Sequence, residues 1–172
     1  MPLPKGVFIQ ELVGTEMLNR DILRDFMLHQ GDADVQRSHF IDGRFENIYL
    51  GTEQVPAMAN VIEQAIAAAQ VFLGDPQALQ AGFWFNAMSP GQSTQIHTHD
   101  DDDERLSAVY YVTAPQGSGD LILESQTGPY TLSPHAGRLV CFPPDMPHAV
   151  SKNLSQQMRL SVGFNFGPAR QS

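Results

Sequence analysis

Residues 95–101, Gln95-Ile96-His97-Thr98-His99-Asp100-Asp101, concentrate the ligand chemistry of this chain, and a distant His148 adds to it. A strand alternates its side chains between two faces. Read that way, Gln95, His97, His99 and Asp101 share one face. Two imidazoles and a carboxylate on one face offer ligands to a divalent metal. A set of two histidines and one carboxylate that leaves coordination positions open suits a non-haem Fe(II) centre. His99 and Asp101 form the His-x-Asp half of such a set, and His148 completes it.

A second chemical group stands eleven residues beyond His148. In the segment 158–166, Leu160, Val162, Phe164 and Phe166 alternate with Arg159, Ser161, Gly163 and Asn165. One face is apolar and the other is polar, headed by an arginine. Such a strand with one wet face is common in antiparallel sheets. The sharper reading turns Arg159 inward. A buried guanidinium needs an anionic partner, and a small dicarboxylate supplies one through two parallel hydrogen bonds. Ser161 shares that face, and Tyr111 is expected to add a phenol from a facing strand.

These groups need a frame. From residue 82 to 166 the sequence reads as eight short strands, at 83–88, 94–99, 105–113, 120–124, 130–132, 138–142, 148–151 and 158–166. Glycine and proline break them at 89–91, 115–119, 127–129, 134–137 and 143–144. That pattern predicts a sandwich or barrel, and eight strands match a jelly roll. Ahead of it, residues 6–13 read as an opening strand. Thr15 is placed to cap a helix carrying Met17, Leu18, Ile22, Leu23 and Phe26 at helical spacing. Residues 36–50 read as extended, with a turn at Asp42-Gly43. There Arg44, Glu46 and Asn47 have two places open to them, a substrate pocket and a solvated strand face, of which the solvated face is expected; His39 is expected in a structural role. Residues 56–73 form the clearest helix, with Val61, Ile62, Ile66, Ala69 and Phe72 on one side, ended by Gly74-Asp75-Pro76. The expectation is a mainly β chain: a double-stranded β-helix (jelly roll, cupin-like) with two N-terminal buttressing α-helices. It forms a single domain over 1–172, divided into N-terminal strands and helices (1–81) and a jelly-roll core (82–166).

Composition narrows the partners. The chain has 172 residues, 42% of them hydrophobic, and a formal net charge of −9. So acidic a protein is not expected to bind a nucleic-acid backbone or an anionic membrane. The single cysteine, Cys141, excludes an internal disulfide and fits a reducing compartment. No stretch has the apolar core of a signal peptide or the length of a membrane span. A cytoplasmic location is expected.

His99-Asp100-Asp101, His148 and Arg159-Leu160-Ser161 together resemble the Fe(II)- and 2-oxoglutarate-dependent dioxygenases. Residues 105–111, Arg-Leu-Ser-Ala-Val-Tyr-Tyr, are similar to the strand that follows His-x-Asp in the prolyl-hydroxylase-like branch. Residues 137–143 are similar to the approach to the distal histidine there. Asn86, Pro90-Gly91, His97-Thr98-His99, Tyr110-Tyr111 and Phe164-Asn165 also resemble a group of small bacterial oxygenases of this superfamily. The resemblance covers about residues 82–166. It implies an enzyme that uses Fe(II), 2-oxoglutarate as cosubstrate and molecular oxygen, and that hydroxylates an amino acid, peptide or protein side chain. It implies His99, Asp101 and His148 as metal ligands, with His97 as the alternate ligand. It implies Arg159 as holder of the far carboxylate of 2-oxoglutarate, assisted by Tyr111 and Ser161. Asp101 is preferred to His97 because an anionic ligand lowers the charge of the site and suits Fe(II).

A cupin uses many of the same residues. Gly91, His97-x-His99 and Glu104 match the first cupin motif, and Gly137, Pro143 and His148 match most of the second. Asp145 and Lys152 depart from it. A cupin would bind metal through His97, His99, Glu104 and His148, as an isomerase, a cofactor-independent dioxygenase or a small-ligand binding module. It gives Arg159, Ser161 and Tyr111 no role and ranks second. A degenerate, non-catalytic site that senses a metal or ligand is the third reading, because fold alone does not establish function.

Overall fold

The computed structural model describes residues 1–74, 76–99 and 103–169. In chain order the elements are β1 (Phe8–Glu11), α1 (Thr15–His29), β2 (Gln36–Ile41), β3 (Arg44–Tyr49), α2 (Met58–Leu73), β4 (Leu79–Met88) and β5 (Thr94–His97). Then follow β6 (Leu106–Tyr111), β7 (Leu121–Ser125), β8 (Gly128–Leu132), β9 (Arg138–Phe142), β10 (His148–Val150) and β11 (Arg159–Pro168). All pairings are antiparallel. A seven-stranded sheet runs β1-β9-β6-β11-β4-β3-β2, and a four-stranded sheet runs β5-β10-β7-β8. This is the expected jelly roll, each of its eight strands lying within or near the span expected of it. The N-terminal segment does more than buttress: β1, β2 and β3 extend the larger sheet at both edges.

The two helices cover the outer face of the larger sheet. On α1, Asn19, Ile22 and Phe26 are buried, a spacing that puts them on one face. On α2, Met58, Val61, Ala65 and Ala69 form the buried stripe. Ile62 and Ile66 flank it half-buried, and Phe72 lies nearer the surface, stacked on Phe8 at 4.2 Å. Two alanines in that stripe let the helix approach the sheet closely. Thr15 is not a cap. Gly14 takes the N-cap position in a left-handed conformation, and no side chain caps the helix. Thr15 begins the helix and packs against Gly137, where an added Cβ would meet its Oγ1 at 2.5 Å. Gly74 ends α2 in a left-handed conformation, its N–H bonding the Gln70 carbonyl. The expected turn at Asp42-Gly43 is present, both residues having positive φ as a two-residue hairpin loop of this hand requires.

β11 lies at the centre of the larger sheet, paired with β4 along its length and with β6 on the other side. Leu160, Val162, Phe164 and Phe166 join Phe85, Tyr110, Leu139 and the helix residues in the main apolar core. The opposite face is not wet. It looks into the space between the sheets, which is partly filled by a smaller apolar cluster of Val7, Tyr111, Leu121, Leu123, Val140 and Phe142. What remains open is a cavity of about 320 Å³.

Candidate active site

The strand that carries the histidines stops at His97. His99 is therefore not presented by strand alternation. Its backbone N–H donates to the Pro144 carbonyl at 2.8 Å, fixing the loop beyond β5 against the segment before β10. His148 sits on β10 directly opposite His97 in the pairing of the two strands. The result is a cluster of three imidazoles, His97, His99 and His148, whose ligating nitrogens all lie within 4.8 Å of one another. Nε2 of His99 and Nε2 of His148 are 3.1 Å apart.

The protonation of these rings follows from their partners. His97 Nδ1 lies 2.8 Å from the Gln95 carbonyl oxygen, and His148 Nδ1 lies 3.0 Å from that of Met146. A carbonyl only accepts, so each Nδ1 carries the hydrogen and each Nε2 is left with its lone pair. Metal-binding histidines are held in this way by backbone oxygens. Burial pushes His148 down to about 3, with the nearby charge of His97 adding to the effect. Burial likewise pushes His99 down to about 4. Both rings are thus neutral at physiological pH, the state a metal requires.

Asp101, expected as the carboxylate ligand, lies outside the described residues. His97, expected as the alternate, is in the cluster. Among the described residues no carboxylate joins it. Glu104, which a cupin would use, lines the cavity but stands apart from the three histidines.

The other end of the cavity is built on β11. Arg159 is only 2% exposed. Its Nη1 donates to the Gly119 carbonyl at 2.8 Å, and its guanidinium carbon lies 5.0 Å from the centre of the Tyr111 ring. Gly119 reaches that position because it has no side chain, since an added Cβ would lie 2.4 Å from the Ser151 carbonyl oxygen. Arg159 Nε and the Tyr111 hydroxyl are both buried without a hydrogen-bond partner. Burial lowers the pKa of Arg159 and raises that of Tyr111, whose rise the nearby guanidinium opposes. Tyr111 is not on a facing strand. It pairs with Ser161 side by side in the same sheet, and Asn86 pairs with Ser161 on the other side. Asn86 and Ser161 therefore line the cavity next to Arg159, and Tyr111 continues the row into the smaller apolar cluster.

Two residues of the site did not stand out in the sequence. Trp84 stacks on His99, ring centres 5.3 Å apart and planes within 14°. Glu46, expected on a solvated face, is 7% exposed and lines the cavity. Its neighbour Arg44 is also drawn in, donating to Asn86 Oδ1 and to the carbonyls of Ala87 and Ser93. The signal for Trp84 was available: a lone tryptophan and a glycine inside a strand, Gly163, whose position often marks a close approach.

The residues fit a metal and an acidic cosubstrate. Three imidazoles converge at one end of a cavity, and an unsatisfied cationic cradle closes the other. Comparisons with known proteins agree with this. Residues 83–167 match the family described as the 2OG-Fe(II) oxygenase superfamily. No curated protein matches the chain in sequence. Among solved structures, a Pseudomonas putida prolyl-4-hydroxylase is similar with a TM-score of 0.67 at 18% identity, covering 96% of this chain and 89% of that one. A prolyl hydroxylase from Trichoplax adhaerens, in complex with a peptide fragment of the hypoxia inducible factor oxygen degradation domain, gives 0.72 at 12% identity, covering 95% and 84%. The epimerase SnoN from nogalamycin biosynthesis, with Fe3+, alpha ketoglutarate and nogalamycin RO, gives 0.74 at 14% identity, covering 95% and 79%. At such identities these likenesses speak for the fold. The matched segment, which spans both the histidines and Arg159, belongs to the 2OG-Fe(II) oxygenase superfamily.

Proposed function

We propose that this chain is an Fe(II)- and 2-oxoglutarate-dependent oxygenase that hydroxylates an amino acid, a peptide or a protein side chain. The observation that carries the reading is Arg159, which lines the same cavity as the histidine cluster with its Nε unsatisfied, beside the Tyr111 ring 5.0 Å away, whose hydroxyl is unsatisfied as well. A buried charge with one carbonyl for company costs several kcal/mol unless something else compensates it. A carboxylate at that point would take up both groups. His97, His99 and His148 are the ligands that the geometry supports. Asp101 is the competing third ligand, supported by the His-x-Asp spacing.

When bound, iron and 2-oxoglutarate supply oxidative decarboxylation by molecular oxygen, giving succinate and carbon dioxide with one oxygen atom passed to the substrate. The protein's own groups do the positioning. Arg159 and Tyr111 hold the far carboxylate, with Ser161 next to them on the cavity floor. Gln95 and Met146 carbonyls hold the Nε2 lone pairs of His97 and His148 toward the metal position. Trp84 covers one face of His99 and keeps water from it.

The three-histidine cluster also suits the alternative of a metal-binding cupin, and that observation keeps it as the second reading. The cradle at Arg159 has no part in it. Anaerobic calorimetric titration of 2-oxoglutarate into iron-loaded protein separates the two. Saturable binding with a visible charge-transfer band supports the oxygenase; no binding leaves the cupin.

A further inference from the structure

Glu46 has no use in the chemistry above, and its setting is unusual. It lies on β3, 7% exposed, with its side chain at the cavity. Buried carboxylates are normally paired or bonded. Among the described residues no side chain donates a hydrogen bond to this one. Arg44, two residues away, is the obvious partner, but its guanidinium is used elsewhere. Nη1 bonds Asn86 and the Ala87 carbonyl, and Nη2 bonds the Ser93 carbonyl and Thr94 Oγ1. Burial raises the pKa of Glu46, and the charges of Arg44, His97 and His39 pull it back only in part. The backbone across the hairpin is strained as well. His39 has a φ of 58°, a left-handed conformation that a non-glycine side chain rarely adopts, and it too lines the cavity. Strained backbone of this kind gathers at ligand sites.

We propose that Glu46 is the recognition group for a cationic nitrogen, a protonated amine or guanidinium, on the molecule that this enzyme oxidises. The assignment rests on the oxygenase reading for the word oxidises, but not for the site itself. A cation seated at Glu46 supplies donors to a carboxylate that faces the cavity with no side chain bonded to it, and makes a charge-assisted pair there. The position suits it. Glu46 and His97 line the same cavity, so a substrate anchored at Glu46 lies in the space that the histidine cluster opens onto. The hairpin holds the carboxylate in place, because Arg44 fastens β3 to β4 and β5.

The test uses iron-loaded protein under anaerobic conditions, with and without 2-oxoglutarate, in titration calorimetry. The probes are N-acetyl-lysine amide and N-acetyl-arginine amide, against the neutral N-acetyl-norleucine amide and N-acetyl-citrulline amide. Free norleucine reports on an α-ammonium alone. The wild type is expected to bind at least one cationic probe at least roughly tenfold more tightly than its neutral counterpart, as expected for a charge-assisted bond. E46Q, which keeps the shape of the side chain, should erase that preference while iron and 2-oxoglutarate bind as before. Equal affinity for cationic and neutral probes in the wild type overturns the proposal without reference to any variant. So does a preference that survives in E46Q, or loss of iron from E46Q, which would make Glu46 a metal ligand. If 2-oxoglutarate binds and no cation does, this inference falls alone. If 2-oxoglutarate does not bind, the oxygenase reading falls, and the cation preference is still read on the iron-loaded protein.

Discussion

Gly163 and Trp84 are paired residues on β11 and β4, and a Cβ on Gly163 would lie 2.4 Å from the Trp84 ring. The indole occupies the space that a side chain at 163 would need, and from there it stacks on His99. A glycine on one strand thus sets the position of a metal-ligand candidate in a loop. Gly163→Ala should force the indole out. Overpacking of this kind costs about 1–3 kcal/mol. The expected outcome is a lower Tm together with weaker iron binding, read by thermal melts and iron titration with Trp84 fluorescence as the local probe. A variant that melts lower yet keeps wild-type iron affinity would deny the indole a role at His99.

His99→Ala and His148→Ala should each abolish tight Fe(II) binding, since both rings bring Nε2 to one point. His97→Ala should weaken iron binding by itself, because His97 completes the cluster. Metal analysis after anaerobic iron loading decides this. If His97→Ala keeps its iron and Asp101→Ala loses it, the third ligand is the carboxylate.

Arg159→Ala should weaken 2-oxoglutarate binding at least roughly a hundredfold, equivalent to about 2.7 kcal/mol. Iron binding should hardly change, as a guanidinium has no lone pair to offer a metal. Arg159→Lys should rescue only in part, because an ammonium lacks the planar fork and the five donors. Calorimetry with the two variants checks this, and equal affinity in wild type and Arg159→Ala would remove 2-oxoglutarate from this end of the cavity.

Alkaline pH should reveal the buried phenols. Burial pushes Tyr110 up to about 12 from an ordinary 10, although its hydrogen bond to Asn19 pulls the other way. Tyr111 is raised too. The folded chain then holds these protons more tightly than the unfolded chain. The stabilisation is complete below pH 10 and is lost as pH rises from 10 through the folded value. Urea unfolding across that window should show a steep fall for the wild type and a shallower one for Tyr110→Phe. At neutral pH Tyr110→Phe should be less stable by about 1–3 kcal/mol, because it leaves the buried Asn19 oxygen unpaired.

Much of this was legible beforehand because it depends on local rules. Alternation and glycine–proline breaks located the strands, and the same alternation turned Arg159 away from Leu160, Val162 and Phe164. The histidines and Arg159 were legible as residue types at the right spacing. What was not legible depends on contacts between distant segments. Glu46 looks like an ordinary polar residue on a hairpin, and only the folding of β3 beside β4 buries it. Trp84 gains its role from the register that sets it opposite Gly163. Thr15 has the chemistry of a cap, but Gly137 receives it as a packing partner, and Gly14 makes the turn instead. The strand that should have carried His99 ends at His97, and a backbone bond to Pro144 does the rest.

The two ends of the cavity belong to different sheets. His97 and His148 lie on the four-stranded sheet, whereas Arg159, Ser161 and Tyr111 lie on the seven-stranded one. Any molecule gripped at both ends is therefore a brace across the sandwich. On the proposed function iron alone would fasten one wall, and 2-oxoglutarate alone would have only the other to hold. Bound together they should stiffen the whole body, each tightening the other's grip by the same factor. The rise in Tm with both should exceed the sum of the separate rises, and amide exchange should slow in β7 and β10, strands of the sheet opposite the one that carries Arg159. On the proposed function the cosubstrate would be a cross-beam as well as a reagent.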